Sequence, residues 1–247
     1  MEASADYRAS HVDPEKPEEY ELAYRLGTYA AWVWEREKPY LDELIGRRLG
    51  GADIRYLDLA CGTGRIIGHV EQRVADSTGV DISGPMLEIA GRNVTRSTLI
   101  QGDPTRDRDL VTGPFDLVTS FRLLLNAQPE LRDDILAFTN GILADDGVFV
   151  FDVHGNTTSL RVAGPLRNRL LRREPIHQLS VLQVRRMLRR HGLEVVEMRG
   201  FGLVTPKVFR TLGRARAERI EALVQRFSVL RYLCVNLVFV TRKRRAG

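Results

Sequence analysis

The ten residues Tyr56 to Arg65, YLDLACGTGR, place an apolar run, a carboxylate and two glycines within one short stretch. Ile54 to Leu59 reads as a strand, Cys61 to Gly64 as a tight turn and Arg65 to Val70 as the opening of a helix. Glycine lets the backbone approach a ligand, and a helix N-terminus offers N–H groups without partners inside the helix. The stretch therefore predicts an α/β chain with a nucleotide-sized site at the end of its first strand.

The remainder repeats this alternation of short apolar runs and helical periodicity, the pattern of βαβ units and a mainly parallel sheet. Strands are predicted at 55–60, 76–81, 97–101, 115–120 and 147–153, with helices at 64–74, 84–92, 130–143 and 180–191. Leu193–Phe201 and Leu233–Thr241 read as closing strands. Residues 1–17 are polar and read as a loose arm. Glu18 to Ile45 turns helical and carries Tyr20, Tyr24, Tyr29, Trp32 and Trp34, an aromatic-rich cap whose rings should mostly pack as core. The division that follows is an arm and cap over 1–50 and a ligand-binding core over 51–154. Residues 155–247 would supply lid insertions and the closing strands of the same domain.

Two further acids end strands as Asp58 does: Asp81 in TGVDIS and Asp103 in IQGDP. Strand ends in an open α/β sheet converge on one crevice, so the three carboxylates should line one pocket. Gly62, Gly64 and Gly68 also spell GxGxxxG, which raises a nicotinamide-dependent oxidoreductase as a competing reading. Ile67 occupies the third-glycine position of the dinucleotide fingerprint, however, and Asp58 would repel a pyrophosphate while welcoming a cation.

On these motifs the chain resembles the class I S-adenosylmethionine-dependent methyltransferases. LDLACGTG is similar to their first motif, GVDIS to their second and QGD to their third; PFDLVTSF and DDGVFVFDV are similar to strands four and five. The resemblance implies a Rossmann-like seven-stranded, mostly parallel sheet with an antiparallel last strand, helices on both faces, and S-adenosylmethionine as cofactor. It places Gly62 and Gly64 beneath the methionyl part, Asp81 on the ribose, Asp103 on the adenine amino group and Asp58 at the amino end. Ile82, Pro104, Phe121 and Arg122 complete the implied cofactor-binding set. Ala60 stands where some members carry glycine, a departure expected to be harmless.

Methyl transfer from a sulfonium is an in-line displacement that alignment in a water-poor pocket accelerates, and a hydroxyl acceptor benefits from a base. His154, directly after strand five, is the first candidate base and His177 the second, with Tyr7 and Tyr20 behind them; Asp152 is read as an orienting group. After strand four stands TSFRLLLN, not the Asn/Asp-Pro-Pro-aromatic sequence of adenine and glutamine amino-methylating enzymes. The expected acceptor is thus an oxygen on a small molecule, sugar or lipid-linked compound, with no metal. A nucleic-acid methyltransferase and a catalytically silent binding module remain as alternatives.

Charge adds a polarity. Residues 1–154 hold 16 Lys/Arg against 27 Asp/Glu, and residues 155–247 hold 21 against 5. SLRVAGPLRNRLLRR and FRTLGRARAERIEALVQRFSVLRYL are basic amphipathic stretches that could cover an anionic acceptor, lie on an anionic membrane or present a solvated face. RNA is disfavoured by the lack of interleaved aromatics, and the oligomeric state is left open. Cys61 and Cys234 make no disulfide framework, and neither a signal peptide nor a run of about 18 uncharged apolar residues is seen. A cytoplasmic protein, peripheral at most to a membrane, is the expectation.

Overall fold

The computed structural model describes residues 7, 8, 16–50, 53–159 and 178–245. Strands β1 (Arg55–Leu59), β2 (Asp76–Asp81), β3 (Thr98–Gln101), β4 (Phe115–Ser120), β5 (Leu143–Val153), β6 (Leu193–Phe201) and β7 (Asn236–Lys243) form one sheet in the order β3-β2-β1-β4-β5-β7-β6. β1 to β5 pair in parallel, and β7 inserts antiparallel between β5 and β6. The order reverses at β1, so the carboxyl ends of β1 and β4 flank a crevice, the ligand-binding position of open sheets.

Alternation along each strand divides the core in two. Leu57, Val118, Phe149 and Phe151 face the layer of α5 (Pro129–Ile142) and α6 (Val181–Arg190). Tyr56, Leu117, Val150 and Val238 face α2 (Tyr29–Leu49) and α3 (Ile67–Val70). Phe149, Phe151 and Phe239 stack along the first face with ring centroids 5.1 and 5.3 Å apart.

Four predicted boundaries move, each for a local reason. The cap is two helices, α1 (Lys16–Ala23) and α2, because Gly27 adopts φ 91° and the Thr28 hydroxyl caps α2 by accepting from the Ala31 N–H at 3.1 Å. The helix expected over 64–74 shrinks to α3 and a 3-10 turn at Glu71–Arg73, because Cys61 to Ile66 are consumed by the turn. β5 starts at Leu143, not at 147: pairing jumps from Phe115–Leu143 to Leu117–Val148, so Asp145–Gly147 lie at a bulge inside the strand. Ser228–Leu233 forms a 3-10 helix, delaying β7 to Asn236.

Gly68 sits where α3 crosses the end of α4 (Gly84–Asn93); a Cβ there would lie 2.5 Å from the Asn93 carbonyl oxygen. Gly68→Ala should therefore destabilise the fold by about 1–2 kcal/mol, the cost of overpacking less the gain in helix propensity; a urea midpoint at or above wild type would refute the close approach.

The second basic insertion forms α7 (Pro206–Leu212), α8 (Arg214–Arg226) and the 3-10 helix. It is bound to α2 instead of arching over the crevice. Phe209 packs on Trp32 at 5.0 Å, and Glu221 accepts the Gly202 and Leu203 N–H groups at 2.7 and 2.8 Å. Most of the first insertion, 160–177, lies outside the described residues. No described helix is long and apolar enough to cross a membrane.

Candidate functional site

A cleft of about 450 Å³ opens at the carboxyl ends of β1, β2 and β4, roofed by α1. Nine residues of the implied set line it: Asp58, Ala60, Gly62, Asp81, Ile82, Asp103, Pro104, Phe121 and Arg122. Gly64 lies behind the wall, with φ 82° and an ideal Cβ 3.1 Å from Ala90, so its task is to let the turn approach α4. A Cβ on Gly62 would meet no protein atom within 4 Å, which leaves the cleft floor open.

The acids have distinct surroundings. Asp58 is buried at the end of a relay: the Tyr56 hydroxyl donates to Thr119 Oγ1 at 2.7 Å, and Thr119 donates to Asp58 Oδ1 at 2.6 Å. Asp58 Oδ2 is buried without a hydrogen-bond partner, an orphaned acceptor suited to a cationic donor. Burial pushes this carboxyl up to about 7, against the pull of Thr119 and Arg65.

Asp81 accepts the Gly62 N–H on Oδ2 at 2.8 Å and the Ser83 N–H on Oδ1 at 2.9 Å, tying the glycine turn to β2. Asp103 is engaged more fully, by Thr105 N–H and Oγ1 at 3.0 and 2.6 Å and by Arg8 Nε at 2.6 Å. Burial raises the Asp103 carboxyl, but Thr105 and Arg8 outweigh it and leave it below the usual range.

Strain gathers at this cleft. Ala60 and Arg122 are the non-glycine residues with positive φ among those described, at 58° and 64°. Both follow a strand end on the cleft wall. Alanine at φ 58° costs roughly 1 kcal/mol, so the missing glycine at position 60 is tolerated at a cost instead of being harmless. Arg122 is fixed by its N–H donating to Asp152 Oδ1 at 2.6 Å and its Nε donating to the Tyr24 hydroxyl at 2.9 Å.

The candidate bases fare differently. His154 is not among the residues that line the cleft; its Nδ1 lies 3.6 Å from Asp152 Oδ2. His177 lies outside the described residues. Tyr7 and Tyr20 do reach the cleft, but burial pushes Tyr7 up to about 12 and raises Tyr20 further, so both retain their protons near neutrality. Asp152 accepts from Arg122 as an orienting group should. Among the described residues no His, Cys, Asp or Glu cluster could hold a metal ion.

Other features follow no sequence rule. The arm is held at Tyr7 and Arg8, with the Tyr7 hydroxyl donating to the Arg122 carbonyl at 3.2 Å. Tyr20 and Tyr24 form the roof, whereas Trp32 and Trp34 are buried as core. Arg65 sits 4.1 Å over the Tyr24 ring and 4.6 Å from Trp34. The only sequence signal for these contacts was the aromatic density of the cap beside an arginine ending the glycine turn.

Comparison with known proteins agrees with this geometry. The family model for a methyltransferase domain matches residues 57–147. YqeM of Bacillus subtilis is 34% identical over 106 residues, 41% of this chain and 43% of that protein. A dTDP-4-amino-2,3,4,6-tetradeoxy-D-glucose N,N-dimethyltransferase of Saccharopolyspora spinosa is 34% identical over 122 residues, covering 48% and 47%. The chain thus spans about half the length of the curated relatives it matches. Among solved structures, magnesium protoporphyrin IX methyltransferase from Synechocystis with bound S-adenosylhomocysteine superposes with a TM-score of 0.64 at 12% identity, covering 96% of this chain and 98% of that one. An S-adenosylmethionine-dependent methyltransferase from Clostridium acetobutylicum gives 0.60 at 13%, covering 93% and 99%.

Proposed function

Because the chain is a class I S-adenosylmethionine-dependent methyltransferase in fold and motif, we propose that it methylates an oxygen on a small-molecule, sugar or lipid-linked acceptor. The observation that carries the cofactor assignment is the pairing of an open Gly62 floor with the orphaned Asp58 oxygen and the Asp81 carboxylate. Asp58 would take the cofactor's ammonium, Asp81 its ribose hydroxyls, and Asp103 the adenine edge. Asp103 is already bonded to Arg8 and Thr105, so adenine would share or displace the Arg8 contact. When bound, the cofactor supplies a methyl group activated by its sulfonium.

The cleft walls supply alignment and exclude water: Tyr20 and Tyr24 roof the cleft, and Phe121 and Leu123 present apolar surface beside the acids. An amine acceptor is the second reading. It is favoured by the N,N-dimethyltransferase relative and by the lack of a histidine on the described cleft wall, since a neutral amine attacks without a strong base. Calorimetric titration with S-adenosylhomocysteine, with NADH and NADPH as controls, tests the cofactor. Labelled methyl transfer to matched hydroxyl and amino acceptors then decides the atom. Binding of a nicotinamide alone would overturn the reading.

A pH dependence follows from Asp58. Its carboxyl is protonated below about 7, and the cofactor's ammonium prefers the carboxylate, so S-adenosylhomocysteine affinity should rise with pH between 5.5 and 7.5. The slope should be at most about tenfold per unit. Asp58→Asn should flatten the profile; an equally steep profile in that variant would place the titrating group elsewhere.

A further inference from the structure

We propose that the guanidinium pair Arg65 and Arg122, set against Tyr20 and Tyr24, anchors a carboxylate carried by the methyl acceptor. This deepens the methyltransferase reading and rests on it.

Both arginines line the cleft. The Arg65 side chain is only 10% exposed, and its Nε and Nη1 are buried without hydrogen-bond partners. Its nearest groups satisfy it poorly. The Tyr20 hydroxyl lies 3.4 Å from Nη2, and Glu37 Oε2 is 4.0 Å from Nη1, beyond hydrogen-bond distance. The remaining neighbours are the faces of Tyr24 and Trp34, which attract a cation but accept no conventional N–H bond. A buried guanidinium with unassigned donors beside a cleft calls for an oxyanion from the ligand.

The charge balance selects the kind of anion. Arg122 Nε donates to the Tyr24 hydroxyl and lies 3.6 Å from Asp152, whose carboxylate stays ionised because, against its burial, His154 and Arg122 hold it down. Glu37, the other acid behind the pair, accepts from the Asn236 amide, and burial pushes it up to about 7. Asp58, which Arg65 also pulls on, is taken up by the cofactor's ammonium in the proposed complex, so two cations face one firm anion, Asp152. A monoanion balances the remaining charge, whereas a phosphate dianion overshoots it. Asp81 and Asp103 are bonded to backbone N–H groups and to Arg8. Arg65 packs beneath Tyr20 of α1 and Trp34 of α2, under the roof of the cleft.

The test uses the full chain saturated with S-adenosylhomocysteine, titrated calorimetrically with 4-hydroxybenzoate, 4-hydroxybenzamide and 4-hydroxyphenyl phosphate. The carboxylate should bind at least about tenfold tighter than the amide, and Arg65→Gln should remove that preference while S-adenosylhomocysteine affinity stays within about twofold. Arg122→Gln should reduce the preference in the same direction, and it carries the test if Arg65→Gln does not melt cooperatively. Equal binding of carboxylate and amide overturns the anchor, and a preference for the phosphate overturns the charge assignment. If Arg65→Gln weakens S-adenosylhomocysteine but not 5′-methylthioadenosine, which lacks the amino-acid part, Arg65 holds the cofactor's own carboxylate and the proposal falls. Absence of S-adenosylhomocysteine binding by the wild type overturns the underlying methyltransferase reading, a result distinct from these.

Discussion

Glu71→Ala should lower the unfolding free energy by about 3 kcal/mol at neutral pH. Glu71 is 1% exposed and clamps the loop between α4 and β3. Oε1 accepts from the Thr95 N–H at 2.8 Å and the Thr95 hydroxyl at 2.9 Å; Oε2 accepts from the Arg96 and Ser97 N–H groups at 3.0 Å each and the Ser97 hydroxyl at 2.7 Å. Alanine would strand three backbone donors, at roughly 1–3 kcal/mol each when dry. Thr95 and Arg96 are exposed, so water should recover part of that loss, which gives the lower total.

The same residue sets an acid dependence. Burial raises the Glu71 carboxyl, but the hydrogen bonds from Ser97, Arg96 and Thr95 outweigh it and hold the group at about 2, below its ordinary 4.5. A depressed carboxyl contributes stability that is fully present above the unfolded pKa and is lost as pH falls through the folded one. The gap between wild type and Glu71→Ala should therefore be full at pH 6 and shrink from pH 4.5 toward 2. Urea denaturation at pH 7 and pH 3.5 measures both points, and a gap that widens in acid would contradict the clamp.

Asp81→Ala should weaken S-adenosylhomocysteine binding by about 100-fold, the loss of roughly 3 kcal/mol. The ribose contact is only part of that figure. The carboxylate also holds the Gly62 and Ser83 N–H groups, so its removal frees the turn on which the cofactor would rest. Asp81→Asn keeps one acceptor oxygen but turns the other position into a donor facing an N–H, and it should fall between the two. Calorimetry on variants with wild-type melting curves reads this directly. Unchanged affinity in Asp81→Ala would remove the residue from the site.

The alternation of apolar runs and helical periodicity made the strands legible, most plainly β1, β4, β5 and β7, because a strand buried on both faces is near-continuously apolar. Gly62, Asp58 and Asp81 were legible for a related reason: a glycine turn and strand-end acids carry their chemistry within a few residues. Spacing alone does not tell that Gly64 packs against Ala90 of α4 while Gly62 lines the cleft.

The sheet, the glycine-turn and strand-end acid motifs and the polarity of charge could be read from residue order alone, because all of them are written in local pattern. Only the tertiary structure decided which groups meet across long separations. It brought Arg8 to Asp103, Tyr24 to Arg122 and Glu37 to Arg65, and bound α7 and α8 to the cap helix. Contacts between residues 28 to 177 positions apart leave no periodic trace, because side-chain packing and hydrogen-bond satisfaction select them after the backbone has folded.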